Sequence, residues 1–288
     1  MAAIRMLALD IDGTLAVRGD EVSVATRDAL HGAHARGIEI VIATGRRYRT
    51  TRRVIEALGL GVPAICLGGA LVKAHDHTTL HAQAFAPQDF RLLADALREA
   101  GLTLVGQRDS HAAGGADFVV DDVTPGNEAI ERYLATNANH WERCDVGVHA
   151  SRDDVLVIGT FGELGPLESM TARLSKTHGH RFSSHIVPTP WDGSFYLEII
   201  PAHVSKWSGL LMLGDRLGIS REEICAVGDE RNDIPMVRGS GLGVAMANGN
   251  DALKAAADWV CGRNDEDGLV EVVDHILGRC ARMTRSST

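Results

Sequence analysis

The same pattern occurs near both ends of this chain: a short apolar run stops at a polar turn, and a helical segment follows. Continuously apolar runs of this length are typical of strands buried on both faces of a parallel sheet. In the first part, alternating strands and helices are predicted at Ile4–Leu9, Val24–Arg36, Ile38–Ala43, Tyr48–Leu58 and Ala64–Leu67. Consecutive βαβ units of this kind form a doubly wound sheet.

The pattern returns in the last part, with predicted elements at Lys206–Leu217, Ile224–Val227, Val244–Met246, Trp259–Val260 and Leu269–Leu277. The middle of the chain does not show this alternation, because its helical and strand-like segments are separated by loops rich in Gly, Asp and His. The predicted fold class is α/β. A doubly wound, Rossmann-like parallel sheet core occupies 1–84 and 201–288, and a mixed α/β domain is inserted at 85–200.

Composition excludes several classes of protein. The 288 residues include 29 Lys and Arg against 38 Asp and Glu, and this net charge of −9 argues against nucleic acid as a partner. No run approaches the roughly 18 apolar residues of a membrane helix, so no membrane partner is predicted. Five scattered cysteines argue against a disulfide framework or zinc site and favour a reducing cytoplasm. The oligomeric state stays open.

Two carboxylates directly follow the first predicted strand, in the segment 10–15 (DIDGTL). Ligands of open α/β sheets bind beyond the carboxyl ends of the strands. Asp10 and Asp12 share one side of an extended chain and repel each other unless a proton or cation intervenes. Mg²⁺, which prefers oxygen ligands, would neutralise them. A solvated turn is the alternative, because Asp and Gly are common turn residues.

Further polar groups stand at other strand and helix ends. Asp229 and Asn232–Asp233 follow a second apolar run. Thr44 ends a third, where its hydroxyl and, with Gly45, outward backbone N–H groups are expected before a helix. Lys206 begins a helix after the insertion and can supply a cation for a phosphate. This set suits phosphoryl transfer, where catalysis is mainly positioning and charge neutralisation.

With these residues in this order, the chain resembles the haloacid dehalogenase superfamily of phosphohydrolases. The four motifs of that superfamily occur here in order, at 10–14 (DIDGT), 44–46 (TGR), Lys206 and 228–233 (GDERND). Segments 43–46, 204–206, 243–248 (GVAMAN) and 264–268 (NDEDG), with Met236, are similar to the Cof-type, class IIB branch. The resemblance implies that the inserted domain is the α/β cap of this branch, which determines substrate specificity.

The resemblance also implies the chemistry. Asp10 corresponds to the nucleophile that forms an aspartyl-phosphate. Asp12 corresponds to the general acid/base, which protonates the leaving oxygen and later activates water. The implied cofactor is Mg²⁺, held by the carboxylates of Asp10 and Asp229 and by the backbone carbonyl of Asp12.

Other motif residues correspond to groups that bind the substrate. Thr44, Gly45 and Lys206 would hold the phosphoryl oxygens, and Lys206 would also shield the charge on Asp10. Asn232 and Asp233 would orient metal-bound water or touch the substrate. Two positions depart from the branch: 68–69 is Gly-Gly where relatives often have Asn-Gly, and Trp207 follows the motif lysine in place of Gly. Both changes bear on substrate preference and not on the reaction type.

Several weaker candidates have plain structural alternatives. His75, His77 and His81 could bind a metal, but a hairpin loop is the simpler interpretation. The positive charge of Arg46 is unfavourable at the N-terminus of a helix. Arg46 is therefore expected either to pair with another charge, from the cap or a substrate anion, or to be a surface residue. Trp191 lies on a predicted cap loop and could line the substrate pocket.

The sequence thus predicts a Mg²⁺-dependent phosphatase of small phosphomonoesters, with sugar phosphates as the first expectation. The alternatives within the superfamily are a phosphomutase and a phosphatase of phosphoglycerate-type esters. A receiver-like signalling domain also phosphorylates an Asp beside Mg²⁺, but such domains are much shorter and have no use for Asp12. A non-catalytic protein that binds a phosphorylated ligand is the remaining alternative.

Overall fold

The computed structural model describes residues 2–109, 115–122, 127–144, 152–191 and 193–278. In chain order, its strands are β1 Met6–Leu9, β2 Glu39–Ala43, β3 Ala64–Cys66, β4 Leu71–Lys73, β5 Thr79–Ala82, β6 Val105–Arg108, β7 Phe118–Val120, β8 Trp141–Arg143, β9 Val155–Gly162, β10 Phe182–Pro188, β11 Phe195–Pro201, β12 Ile224–Gly228, β13 Leu242–Ala245 and β14 Trp259–Val260. Its α-helices are α1 Val24–His34, α2 Tyr48–Leu58, α3 Pro87–Glu99, α4 Glu128–Thr136, α5 Leu164–His178, α6 Lys206–Leu217, α7 Ile234–Gly239, α8 Asp251–Lys254 and α9 Gly268–Ile276.

The chain divides into two compact units. The first contains the residues up to Arg46, Thr50–Leu80 and the residues from Ser205 onward, and the second contains Arg47–Arg49 and His81–Val204. The predicted boundaries after residues 84 and 200 each lie four residues from the nearest of these changes of unit. The grouping of 47–49 with the second unit has no counterpart in the prediction.

The first unit is built on a sheet with the strand order β14-β13-β12-β1-β2-β3-β4-β5. The strands from β14 to β3 are parallel, and β4 is antiparallel to β3. The chain winds from β1 to β3 in one direction and from β12 to β14 in the other. The predicted doubly wound α/β fold is therefore confirmed, and its switch point lies at the carboxyl ends of the neighbouring strands β1 and β12.

Buried strands and capped helices explain why these segments form this core. All residues of β1 and β12 are buried, as expected for strands covered on both faces. On one face, Leu210 and Leu213 of α6 pack with Met236 of α7 against the sheet. A capping box between Ser205 and Ser208 begins α6. That cap makes Lys206 the first residue of the helix.

The second unit contains a six-stranded sheet with the order β10-β11-β9-β6-β7-β8. Helices α3 and α5 contribute to one hydrophobic cluster on this sheet, and α4 contributes to a second. The sequence pattern predicts helices at Gln88–Ala100, Ala129–Ala138 and Glu168–Thr177, which correspond to α3, α4 and α5, and strands at Val155–Phe161 and Phe195–Ile200, which correspond to β9 and β11. It predicts no strand at β6, β7, β8 or β10. Three of these strands have only three or four residues, and β10 (FSSHIVP) carries several polar residues, so none shows a clear period.

Candidate active site

Three carboxylates meet at the switch point of the first sheet. Asp10 directly follows β1, Asp229 directly follows β12, and Asp233 ends the 3₁₀ turn after Asp229. One oxygen from each lies within 4.8 Å of one oxygen from each of the others. Across the residues that the structure describes, this is the only group of three or more potential metal-binding side chains.

Lys206 joins two of these carboxylates. Its Nζ donates hydrogen bonds of 2.7 Å to Oδ1 of Asp10 and 2.6 Å to Oδ1 of Asp233. The lysine side chain is 2% exposed, so both bonds lie out of solvent. Burial acts to lower the pKa of the Lys206 ammonium, but the two carboxylates outweigh this and hold the pKa above its ordinary value. Lys206 is therefore charged at neutral pH.

The single positive charge of Lys206 does not balance the negative charges that the three carboxylates can carry. Burial is the main cause that raises the pKa of both Asp10 and Asp229 above the usual range, and the neighbouring Asp233 adds to the effect. When all three carboxylates are ionised, they and the ammonium together carry two excess negative charges, the charge that one divalent cation would balance. Oδ1 of Asn232 is also buried and has no hydrogen-bond partner. An all-oxygen set with excess negative charge fits Mg²⁺.

The loop after β1 is fitted closely to Asp229. Oγ1 of Thr14 donates a 2.9 Å hydrogen bond to Oδ1 of Asp229. Gly13 has a φ of 76°, and a Cβ at this position would lie 2.2 Å from Oδ2 of Asp229. Only glycine therefore fits at this close approach. Both residues lie in the predicted motif at 10–14, but the motif alone assigns no role to Thr14.

Asp233 is held on both of its oxygens. Oδ1 accepts from Lys206, and Oδ2 accepts from the backbone N–H groups of Asp229 and Glu230 at 3.0 Å each. A carboxylate with these partners orients Lys206 and the turn that carries Asp229. Contact of Asp233 or Asn232 with metal-bound water or substrate stays a prediction.

Thr44 and Gly45 follow β2, beside this group in the sheet order. The backbone N–H of Thr44 donates to the Ile65 carbonyl at 2.8 Å, and its Oγ1 accepts from the N–H of Arg46 at 3.1 Å. The expected outward N–H of Thr44 is therefore wrong, because that group belongs to the sheet. Gly45 faces open space, since a Cβ there would have no heavy atom within 4 Å. The hydroxyl of Thr44 and the backbone of Gly45 remain the predicted phosphate contacts.

Arg46 forms ion pairs with two carboxylates of the first unit. Its Nε and Nη2 donate to the two oxygens of Asp12 at 2.8 and 2.5 Å, and its Nη1 donates to Oδ1 of Asp20 at 2.5 Å. The side chain of Asp12 is 64% exposed and does not belong to the three-carboxylate group. Of the two expectations for Arg46, a charge partner or a plain surface position, the structure shows the first, and the partners are Asp12 and Asp20, which the prediction did not name.

The weaker candidates have structural explanations. The segment from Ala74 to Thr78 is a turn between β4 and β5, and the histidines at 75, 77 and 81 form no potential metal site among the described residues. Trp191 packs against Phe161 in the second unit, with ring centroids 6.0 Å apart. Trp207 packs against Gly239, where a Cβ would lie 2.3 Å from the indole. A lining role for Trp191 stays a prediction.

Comparisons with known proteins identify the family of this chain. The family model for haloacid dehalogenase-like hydrolases matches residues 7–273. The chain is 28% identical to the 5-amino-6-(5-phospho-D-ribitylamino)uracil phosphatase YitU of Bacillus subtilis, over 92% of this chain and 94% of that protein. It is 26% identical to the pyridoxal phosphate phosphatase YbhA of Escherichia coli, over 95% and 99%.

Solved structures show the same fold. BT1666 of Bacteroides thetaiotaomicron, a phosphatase of the HAD enzyme superfamily, superimposes with a TM-score of 0.78 at 28% identity over 96% of each chain. No helix in the described part of the chain has the length and apolar character needed to cross a membrane. The family model, the motif residues and these phosphatase relatives all indicate the same family. The chain therefore belongs to the haloacid dehalogenase-like hydrolases, as a Cof-type phosphoric monoester hydrolase.

Proposed function

We propose that this protein is a Mg²⁺-dependent phosphatase that hydrolyses small phosphomonoesters through an aspartyl-phosphate on Asp10. The observation that carries the proposal is the buried contact between Lys206 and Asp10, beside the carboxylates of Asp229 and Asp233. A carboxylate that is paired with a buried ammonium and stands at a sheet switch point can attack a phosphate ester. The ammonium then also attracts the anionic substrate.

In the first step an oxygen of Asp10 attacks phosphorus while the bond from phosphorus to the leaving oxygen breaks. Lys206 holds Oδ1 of Asp10, which fixes the carboxylate plane and leaves the other oxygen as the nucleophile. Asp12 gives a proton to the leaving oxygen. In the second step Asp12 takes a proton from water, which attacks phosphorus and displaces the Asp10 carboxylate.

The proposed metal site uses the carboxylates of Asp10 and Asp229 and the backbone carbonyl of Asp12, with Asn232 nearby. When bound, Mg²⁺ would offset the repulsion between the carboxylates and an anionic phosphate and orient the two for in-line displacement. Asp233 and Thr14 would keep Lys206 and Asp229 in place, because their hydrogen bonds already fix these side chains.

The proposed substrates are small phosphorylated metabolites, with sugar phosphates first. The names of two relatives, a phosphoribitylamino-uracil phosphatase and a pyridoxal phosphate phosphatase, show that similar chains act on different esters of this size. We propose that the second unit, residues 81–204, is the specificity-determining cap. The four described cysteines are buried and are not joined in disulfides, which is compatible with the proposed reducing cytoplasm.

A metabolite panel tests the function. Purified protein with Mg²⁺ is expected to release inorganic phosphate from some sugar phosphates or related esters, and excess EDTA is expected to stop the release. An isomerised phosphate ester formed without release of phosphate would indicate a phosphomutase. Absence of turnover on the whole panel and on an aryl phosphate would overturn the proposal.

The contact between Arg46 and Asp12 leads to a second test. Replacing Arg46 with Ala removes the two hydrogen bonds that position the side chain of Asp12, so substrates whose leaving oxygen needs a proton from Asp12 should lose most activity. We expect kcat to fall at least about tenfold more for an alkyl phosphate than for p-nitrophenyl phosphate, whose leaving group needs no proton. Asp20→Asn is the control, because it keeps both bonds to Asp12. Equal losses on the two substrates would contradict a role through Asp12.

A further inference from the structure

A short turn at residues 246–250 touches both loops that carry the proposed metal ligands. The backbone N–H of Asn250 donates to the carbonyl of Asp229 at 2.7 Å. The side-chain Nδ2 of Asn248 donates to the carbonyl of Gly13 at 2.8 Å. Gly13 directly follows Asp12. One turn of five residues therefore links the loop after β1 to the loop after β12.

The amide of Asn248 has only one possible orientation. Its Nδ2 faces the carbonyl of Gly13, and its Oδ1 accepts a 2.9 Å hydrogen bond from the backbone N–H of Asn264. The side chain of Asn264 in turn donates to the carbonyl of Ala16 at 2.9 Å. Because a carbonyl only accepts and an N–H only donates, neither amide can be reversed. The two asparagines together hold the loop at Gly13 and Ala16.

We infer that Asn248 is a positioning residue for phosphoryl transfer and that Asn264 supports it, an inference that rests on the proposed function. The loop at residues 12–14 supplies the backbone carbonyl of Asp12 and the hydroxyl that holds Asp229. Gly13 packs against the Asp229 carboxylate without room for a Cβ, so a shift of this loop moves both ligands. Asn248 acts through the loop and touches no reacting atom.

Asn248→Asp is the sharpest substitution, because it keeps the size of the side chain and the acceptor, turns the donor into a second acceptor and adds a negative charge. The new carboxylate then faces the carbonyl of Gly13 and repels it. Asn250→Asp is the matched control, since it makes the same change of charge on the same turn. Asn250 caps α8 by accepting from the N–H of Ala252 at 2.9 Å, and Asp caps a helix about as well as Asn.

Two measurements test Mg²⁺ binding and catalysis separately. Calorimetric titration of the substrate-free protein with Mg²⁺ should show that Asn248→Asp weakens binding by about 10–100-fold, with a comparable loss of kcat and little change in KM. Asn264→Ala keeps the hydrogen bond from its backbone N–H to Asn248. Its Mg²⁺ affinity and kcat should therefore each fall by only about a few-fold. Asn250→Asp should stay within about twofold of the unaltered protein in both quantities.

The outcomes separate the inference from the proposed function. If Asn248→Asp and Asn264→Ala lower only the melting temperature and keep the Mg²⁺ affinity and kcat of Asn250→Asp, the positioning role is wrong while the phosphatase stands. If Asn248→Asp does not fold, the Asn264→Ala titration decides alone. An unaltered protein that neither binds Mg²⁺ nor hydrolyses phosphate esters would overturn the proposed function and this inference together.

Discussion

Replacing Asp10 with Asn is expected to abolish the Mg²⁺-dependent hydrolysis of p-nitrophenyl phosphate. An amide cannot form the acyl phosphate, so turnover should fall by roughly 10⁴-fold or more, as when the nucleophile of other covalent mechanisms is removed. The measurement is phosphate release at saturating substrate. Rapid acid quenching with radiolabelled phosphate ester should in parallel trap a phosphoenzyme in the unaltered protein and none in the variant.

The same substitution should leave the fold intact. The pKa of Asp10 is raised, chiefly by burial, so the metal-free fold prefers this group uncharged, and an amide resembles that form. The metal-free variant should therefore melt at or above the temperature of the unaltered protein. Asp28→Asn, on the exposed part of α1, is the control and should keep full activity. Turnover of Asp10→Asn close to that of this control would contradict the covalent mechanism.

Lys206→Met is expected to cost both stability and activity. The substitution keeps the length of the side chain and leaves Asp10 and Asp233 buried without their ammonium partner. Breaking a buried pair in this way costs about 3–5 kcal/mol, which urea unfolding of the metal-free protein can measure. Removing a positive charge from the developing phosphoryl transition state should also lower kcat by about 10²–10³-fold.

Lys254→Met is the matched control for this loss. Lys254 pairs with Asp251 at 3.8 Å on the surface, so its removal should change the free energy of unfolding by less than about 0.5 kcal/mol and leave kcat unchanged. Mg²⁺ should restore part of the stability of Lys206→Met, because the cation supplies charge to the same carboxylates. A Lys206→Met protein as stable and active as the control would contradict the role given to the buried ammonium.

The fold of the first unit could be predicted because its strands are buried on both faces. A run such as Met6–Leu9 has no polar face to obscure the pattern, and Asp10 marks its end. In the second unit the pattern fails for β6 and β10. Gln107 and Arg108 on β6 are largely buried polar residues; Nε2 of Gln107 donates to the Tyr196 hydroxyl, and Nη2 of Arg108 donates to the Ala116 carbonyl. Pairings between distant strands cannot be read from a local period.

The candidate site shows a similar division. The motif residues Asp10, Asp229 and Lys206 could be found because the chemistry of each residue matches its place at a strand or helix end. The partners of Arg46 and Asn248 could not, since they depend on how loops far apart in sequence fold back on each other. The expectation for Thr44 is wrong for the same reason: its N–H pairs with the next strand, and only the register of β2 and β3 determines this pairing.

The order of the strands has a consequence for how the protein is made. Met6 on β1 pairs with Ile224 on β12, so the central pairing of the first sheet joins residues 218 positions apart. During synthesis from the amino terminus, β1 must wait for its neighbour until most of the chain has left the ribosome. Before then it can pair only with β2, and the edge that later receives β12 is exposed to other chains. We expect folding of the first sheet, and with it assembly of Asp10, Lys206 and Asp229, to be the slow and chaperone-dependent stage.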